Sequence, residues 1–456
     1  MTDHPSPLSR RHWRRKRTEA ASHRRLMPVL LIGALLAGPG AAADWPHWRG
    51  LARNGTSPES SGWDEGARLP DRELWRGEFG EGATSPLVVG GTLYTLGWRD
   101  HQDTVYAVDA ATGAVRWKQS YPCPPYGRHA TGDQMFYRGV SATPEYDPST
   151  GLLYTLSIDG DLHCWNTKAS GKKVWSLNLC DRYAIPRRPK VTRSGQRDYG
   201  TCSAPMVHGD WLLVEAGAPA HGNLIALNKR TGKEVWISAN KDPAGHTGGL
   251  APLTVEGVPC VAVLTARHLV VTRLDPPNAG GEVASVPWTT DYINNIATPT
   301  ADGNRVIVTS HYNMQSTAMF EINLNEGAHE IWRVQDASGV CTPVVFEGHL
   351  YWANRGLFCL DLATGRRLWQ GGNYRDAGSC IATADGRLLL WANDGDLSIA
   401  ETARRSPDKV RVLQERQGVF HGRAWPHIVF ADGRLYVRDI GGAMKCFALR
   451  PQESKH

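Results

Sequence analysis

No cysteine precedes Cys123, no two cysteines are adjacent, and no Cys-x-x-Cys-His occurs in the 456 residues. The first absence excludes a lipid-bearing cysteine near the N-terminus. The last excludes a c-type haem attachment. Long apolar runs are scarce. The run from Leu26 to Ala37 is too short for a comfortable bilayer span, which needs roughly 20 residues. Net charge is lacking beyond the N-terminus. Residues 1–43 hold eight of the 51 Lys and Arg and two of the 45 Asp and Glu, so 43 of each sign remain and cancel. The formal charge of +6 is therefore a property of the leader, and a nucleic-acid partner loses its electrostatic basis.

The leader has the layout of a secretory signal peptide. A basic segment reaches Arg25, the apolar run follows, and Ala41-Ala42-Ala43 precede Asp44. The expectation is a cleaved signal peptide at 1–43 and a single domain at 44–456, periplasmic or secreted, with no membrane span. An uncleaved anchor is the alternative. Ser9-Arg10-Arg11-His12-Trp13 faintly resembles a twin-arginine signal, but it lies far upstream of the apolar run.

What the chain does have is a repeated sentence. Cys359-Leu-Asp-Leu-Ala-Thr-Gly-Arg-Arg-Leu-Trp369 reads as a strand, a tight turn and a second strand. Asp361 is suited to bonding its own backbone, and Gly365 to the positive φ of the turn. Ala107 to Trp117 and Ala226 to Trp236 repeat it, and Cys164 to Trp175 repeats it with one insertion. Degenerate copies end at Trp288, Trp332 and Leu413. A hairpin recurring every 40–60 residues or so fits four-stranded propeller blades.

Strand starts marked by Pro or a variant fall near residues 85, 143, 204, 251, 298, 342, 381 and 424, hence eight units. Proline is tolerated at the first residue of a strand. The last unit has three strands of its own, and Leu74-Trp75 is an orphan closing strand. The fold expected is all-β: an eight-bladed β-propeller whose last blade is closed by that N-terminal strand, which removes the open edge. Trp117, Trp236 and Trp369 are expected to be largely buried between blades. The opening Asp44-Trp-Pro-His-Trp-Arg-Gly50 is aromatic and expected to pack. Two long connections, 119–141 and 178–201, join an outer strand to the next inner one and so share a face. His221-Gly222-Asn223, in a second-to-third-strand hairpin, is assigned to the other face. Asp159-Gly-Asp161 and Asp394-Gly-Asp396 read as hairpin turns rather than calcium loops.

The repeat Asp/Asn-x-x-Thr-Gly-x-x-x-Trp resembles the PQQ-like repeat of quinoprotein dehydrogenases and of BamB, the outer-membrane assembly factor. The resemblance covers essentially all of 44–456. It implies an inner-to-outer strand order and a Trp that docks each blade to its neighbour. It does not imply the cofactor, because the dehydrogenases carry a vicinal disulfide over the quinone and this chain has no Cys-Cys pair. The function expected is that of a non-catalytic binding or scaffold protein of the cell envelope, with an envelope protein or a small polar ligand as partner. The alternative is a quinoprotein-type oxidoreductase, or another enzyme, using a pocket at the channel mouth with PQQ or a divalent metal.

Of the nine cysteines, Cys164, Cys359 and Cys446 share one third-strand position and read as small core residues. Cys123 and Cys180 lie in the long loops, where a bridge between them is open. Cys202, Cys341 and Cys380 each precede or open an inner strand. The candidate ligand-binding set, gathered at the channel mouth, is Arg128, Arg193, Arg197, His246, Asn294, Asn295, Cys341, Cys380, His421 and Arg423. Convergent Arg, Asn and His suit an anionic or polyhydroxylated small molecule. Cys and His together also admit a metal site, against which stands the bland reading of a polar, water-filled channel.

Overall fold

The computed structural model describes residues 43–63, 69, 72–124, 139–187, 190–192, 195–196, 199–375 and 377–449. The proposed signal peptide lies almost entirely outside these residues, as do Arg128, Arg193 and Arg197. The described chain is nearly all strand, arranged as eight four-stranded antiparallel blades. The first strands are Leu87–Val89, Glu145–Asp147, Met206–His208, Ala251–Val255, Thr300–Asp302, Val344–Phe346, Ala377–Thr383 and Val429–Ala431, numbered here as blades 1 to 8. They begin within five residues of the expected starts, blade 7 four residues earlier than expected.

Blade 6 shows how the repeat builds. After Val344–Phe346 come His349–Ala353, Leu357–Asp361 and Arg367–Gly371, paired in sequence order. Between the last two, Asp361 Oδ1 accepts from Thr364 N (2.9 Å) and Thr364 Oγ1 (2.7 Å), and Gly365 sits at φ 70°. Cys359 faces Trp369 across the ladder, just before a bulge. The same bulged pairing sets Ala107 against Trp117, Ala226 against Trp236, and Met319 against Trp332. The degenerate blades differ. In blade 4 the Trp position is held by Ala284, and in blade 7 by Gln414, so Trp288 and Leu413 are not its equivalents. Trp288 lies beyond its strand, fully buried, donating to Ser310 Oγ at 3.0 Å.

Each repeat Trp lies on the turn of the following blade. A Cβ on Gly365 would stand 2.7 Å from Trp332, and one on Gly171 2.5 Å from Trp117. The Gly is thus required by its neighbour's indole as well as by its own φ. Indole nitrogens fix the contact: Trp332 Nε1 donates to Leu362 O (2.9 Å) and Trp369 Nε1 to Ser406 O (3.1 Å). Trp369 is buried, but Trp117 and Trp236 are only half-buried.

Closure is as expected. Glu73–Glu78 pairs antiparallel with Ala443–Ala448, Trp75 opposite Cys446, and Trp75 docks on the blade 1 turn through Ala110 O at 3.0 Å. The preceding segment does more than pack. Trp45 bridges Val88 of blade 1, and Pro46 O accepts from Tyr146 N of blade 2. His47 and Arg53 meet Glu145 of blade 2, which also accepts from Val207 N of blade 3. Trp48 fits over Gly248 and Gly249 of blade 4 and donates to Thr298 Oγ1 of blade 5 (3.2 Å). Arg49 reaches Thr300 Oγ1 of blade 5 and Pro343 O of blade 6. Thr56–Ser57 runs parallel to Ala382 and Thr383 of blade 7, and Glu59 accepts from Asp432 N and Gly433 N of blade 8. One strap of chain therefore touches seven of the eight blades directly and reaches blade 3 through Glu145.

Candidate functional site

The connection that leads into each first strand ends beside the channel axis, so eight such connections converge on one face. They line a funnel of about 340 Å³ with Ala83, Ser141, Cys202, His246, Asn294, Thr342, Gly378 and Arg423, one or more from every blade. Trp48, carried in by the strap alongside the first strands, forms its floor. Tyr312 joins from a second-to-third-strand hairpin. That placement corrects the assignment of His221: in an antiparallel blade this hairpin turns on the funnel side. His221 there meets Tyr183 edge-on, centroids 5.6 Å apart.

Three of the ten candidates line the funnel. His246 stacks flat on Tyr199, centroids 3.6 Å apart and planes 4° apart. Asn294 lies on the wall, and the Arg423 guanidinium lies 5.4 Å over the Trp425 ring. Four others are described and lie elsewhere. Asn295 is fully buried and spent on structure: Nδ2 donates to Thr265 O and Trp288 O (both 3.1 Å), and Oδ1 accepts from Thr290 and Ser310 hydroxyls (both 3.2 Å). Cys341 and Cys380 are fully buried in the core shared by blades 6 and 7. Cys341 lies in the connection just before Val344–Phe346, between Val340 and Thr342, which line the funnel while Cys341 is turned into the core. A register slip between Ala377 and Ser379 does the same for Cys380 two residues after Gly378. Burial pushes the Cys341 thiol up to about 11 and the Cys380 thiol well above its ordinary value. His421 lies in a separate crevice with Asn393, Asp394, Asp396 and Phe420. Arg128, Arg193 and Arg197 lie outside the described residues.

The remaining cysteines behave as packing. Cys164, Cys359 and Cys446 are fully buried opposite Tyr154, Tyr351 and Tyr436, their thiols pushed up to about 12 by burial. Cys123 Sγ lies 3.7 Å from Ser157 Oγ, and Cys180 packs against Gly160. Among the described residues, no three His, Cys, Asp or Glu come together to hold a metal. The two Asp-Gly-Asp stretches are turns, with Gly160 at φ 89° and Gly395 at φ 108°.

Sequence reasoning missed Trp48, Trp425 and His427. The signal for Trp48 was the Gly248-Gly249 pair, where any Cβ would come within 2.6 Å of the indole. His427 is 3% exposed and sits edge-on to Trp48, centroids 5.2 Å apart. Its Nδ1 lies 3.0 Å from Ile428 O, and Nε2 meets no hydrogen-bond partner among the described residues. Burial, aided by the Arg49 charge, pulls its pKa down to about 3.

The funnel can select by shape, aromatic contact and hydrogen bonding. No carboxylate stands among its described lining. Among the described residues the oxygen-rich donor set that calcium-like ions demand is therefore not met, and with no Cys-Cys pair in the chain these residues do not fit a metal–quinone site.

A family model described as outer membrane protein assembly factor BamB matches residues 67–140 and 138–371. The dehydrogenase subunit of an alcohol dehydrogenase (quinone) from Gluconobacter oxydans is 32% identical over 170 residues, 36% of this chain. The chain covers only 20% of that relative's length. BamB from Moraxella catarrhalis superposes with TM-score 0.57 at 12% identity, covering 83% of this chain and 99% of that one. A europium-containing methanol dehydrogenase gives TM-score 0.50 at 14% identity, covering 89% and 90%. At these identities the structures testify to the fold alone.

Proposed function

The chain belongs to the BamB family of PQQ-like β-propellers, and from that premise we propose an exported, non-catalytic binding protein of the cell envelope. The funnel is its small-ligand site, and the face bearing the long connections meets an envelope protein. One observation carries the reading: all eight blades converge on a funnel with aromatic and polar walls, the Arg423 cation and no carboxylate among its described lining. Among the described residues such a lining binds but offers neither an oxygen-rich metal seat nor a carboxylate base for proton abstraction. The leader at 1–43 supports export to the periplasm or beyond, and no helix among the described residues is long and apolar enough to cross a membrane.

The likeness to quinone-dependent alcohol dehydrogenases favours a second reading, an oxidoreductase. Dye-linked alcohol oxidation after incubation with PQQ and Ca²⁺ separates the two. The binding reading expects no turnover, together with co-purification of an envelope protein from the native host. Robust quinone-dependent turnover would replace it.

A further inference from the structure

The funnel draws positive charge from two sources. Arg423 is the one Lys or Arg among its described lining, with its guanidinium 5.4 Å over the Trp425 ring of the same wall. Arg49 is the second. It follows the floor residue Trp48 in the strap and is 1% exposed. Among the described residues its guanidinium donates to Thr300 Oγ1 and to the carbonyls of Asn54 and Pro343, all neutral. Burial pulls its pKa down only to about 10, so it stays charged at neutral pH. The ionisable groups that act on it are the Cys341 and Cys380 thiols, which burial keeps neutral. Its charge bears in turn on the lining residue His427, so its field reaches the funnel.

No carboxylate stands among the described lining. Asp439 packs against Gly422, beside Arg423, but its Oδ1 accepts from Ala443 N at 3.0 Å and its charge bears on the buried Arg438. A concave site in low-dielectric protein focuses a field of one sign on whatever enters it. That field repels an amine and gives a neutral molecule nothing. An anion gains from it, and Arg423 supplies the donors that a carboxylate or phosphate oxygen accepts. The rest of the lining suits more than a bare inorganic ion. Trp48 floors the funnel with an indole, and Ala83, Ile296 and Val340 add apolar wall in a volume of about 340 Å³. An anion with an apolar body covers that surface, and an inorganic ion leaves it wet.

We propose that the funnel binds a small organic anion, its charged group beside Arg423 and its apolar body against the Trp48 floor. This inference rests on the small-ligand reading above and adds the charge class of the ligand.

Benzoate, benzamide and benzylammonium share one ring and differ in charge. The test is calorimetric titration of the full purified protein with each, and with phenyl phosphate and inorganic phosphate. Benzoate or phenyl phosphate is expected to bind saturably, about tenfold or more tighter than benzamide and inorganic phosphate, and to weaken as salt rises. Benzylammonium is expected not to bind. The tighter of the two organic anions tells a carboxylate source from a phosphate ester. Arg423→Gln should weaken that anion about tenfold, and Arg423→Lys should keep most of its affinity. Benzamide, benzylammonium or inorganic phosphate binding as tightly as the organic anions overturns the proposal and leaves the small-ligand reading intact. Anion binding that Arg423→Gln does not weaken overturns it too. The comparison of probes on the parent protein stands even if a variant fails to fold. If no probe binds, native mass spectrometry of protein from the host decides. A bound organic anion upholds the proposal, a neutral or cationic molecule overturns it, and no bound molecule ends the small-ligand reading as well.

Discussion

Two buried side chains show how single residues set the stability of this molecule. His163 lies nearly parallel to Tyr121 at 4.1 Å and to Trp165 at 5.1 Å, and burial, helped by Lys173, pulls its pKa down to about 4. An unfolded histidine titrates near 6.5, so the unfolded state takes the proton first as pH falls. Stability is therefore whole above pH 6.5 and is lost on going down towards 4, by about 1.4 kcal/mol per unit. His163→Phe should lose less stability than the parent between pH 6.5 and 4.5, by about 2–3 kcal/mol, in urea midpoints taken at both values. Parallel losses would exclude His163 as the group responsible. Glu145, whose side chain is fully buried, joins His47 and Arg53 of the strap to Val207 N of blade 3. Its cationic partners hold its pKa below the ordinary range despite burial. Glu145→Ala strands those partners and should cost about 3–5 kcal/mol in chemical denaturation. A loss within about 0.5 kcal/mol would mean that the strap docks without it.

At the scale of the blade, the Trp–Gly contact between neighbours is the repeated joint. Trp369 is buried and donates to Ser406 O, whereas Trp117 is half-buried. Trp369→Ala should therefore cost about 3–5 kcal/mol and Trp117→Ala roughly half that, since the cost follows the apolar area lost. Calorimetry of both variants checks the order, and equal losses would contradict the burial difference. The joint was legible in the sequence wherever Thr-Gly-x-x-x-Trp stands complete. It was misread in blades 4 and 7, because the bulge that aligns the Trp is a property of strand pairing, and a nearby Trp288 or Leu413 mimics the spacing.

At the scale of the whole ring, closure and the strap are separable. Removing residues 44–61 should lower the melting temperature while sparing the closing strand Glu73–Glu78. Removing 44–80 also opens the last blade, exposes its edge and should give aggregation. Light scattering and thermal melts rank the two deletions. A soluble 44–80 deletion that melts with the parent would disprove N-terminal closure.

The sequence by itself determined the blade count, the strand order, the closing strand and the face on which the first-strand connections gather. These follow from local turn chemistry repeated along the chain, together with the rule that a closed sheet leaves no edge. It also placed His246, Asn294 and Arg423 in the funnel, since each lies in a connection leading to a first strand. Tertiary structure alone decided the rest. The path of the connection into blade 6 and a one-residue register slip in blade 7 turned Cys341 and Cys380 into the core, a difference no spacing rule resolves. The floor came from Trp48, some 200 to 380 positions in sequence from the glycines and the histidine it meets. His427 is buried against Trp48 with its Nδ1 on the Ile428 carbonyl, a placement that the fold and not the local sequence sets. Contacts between residues so far apart exist only once the ring has closed around them.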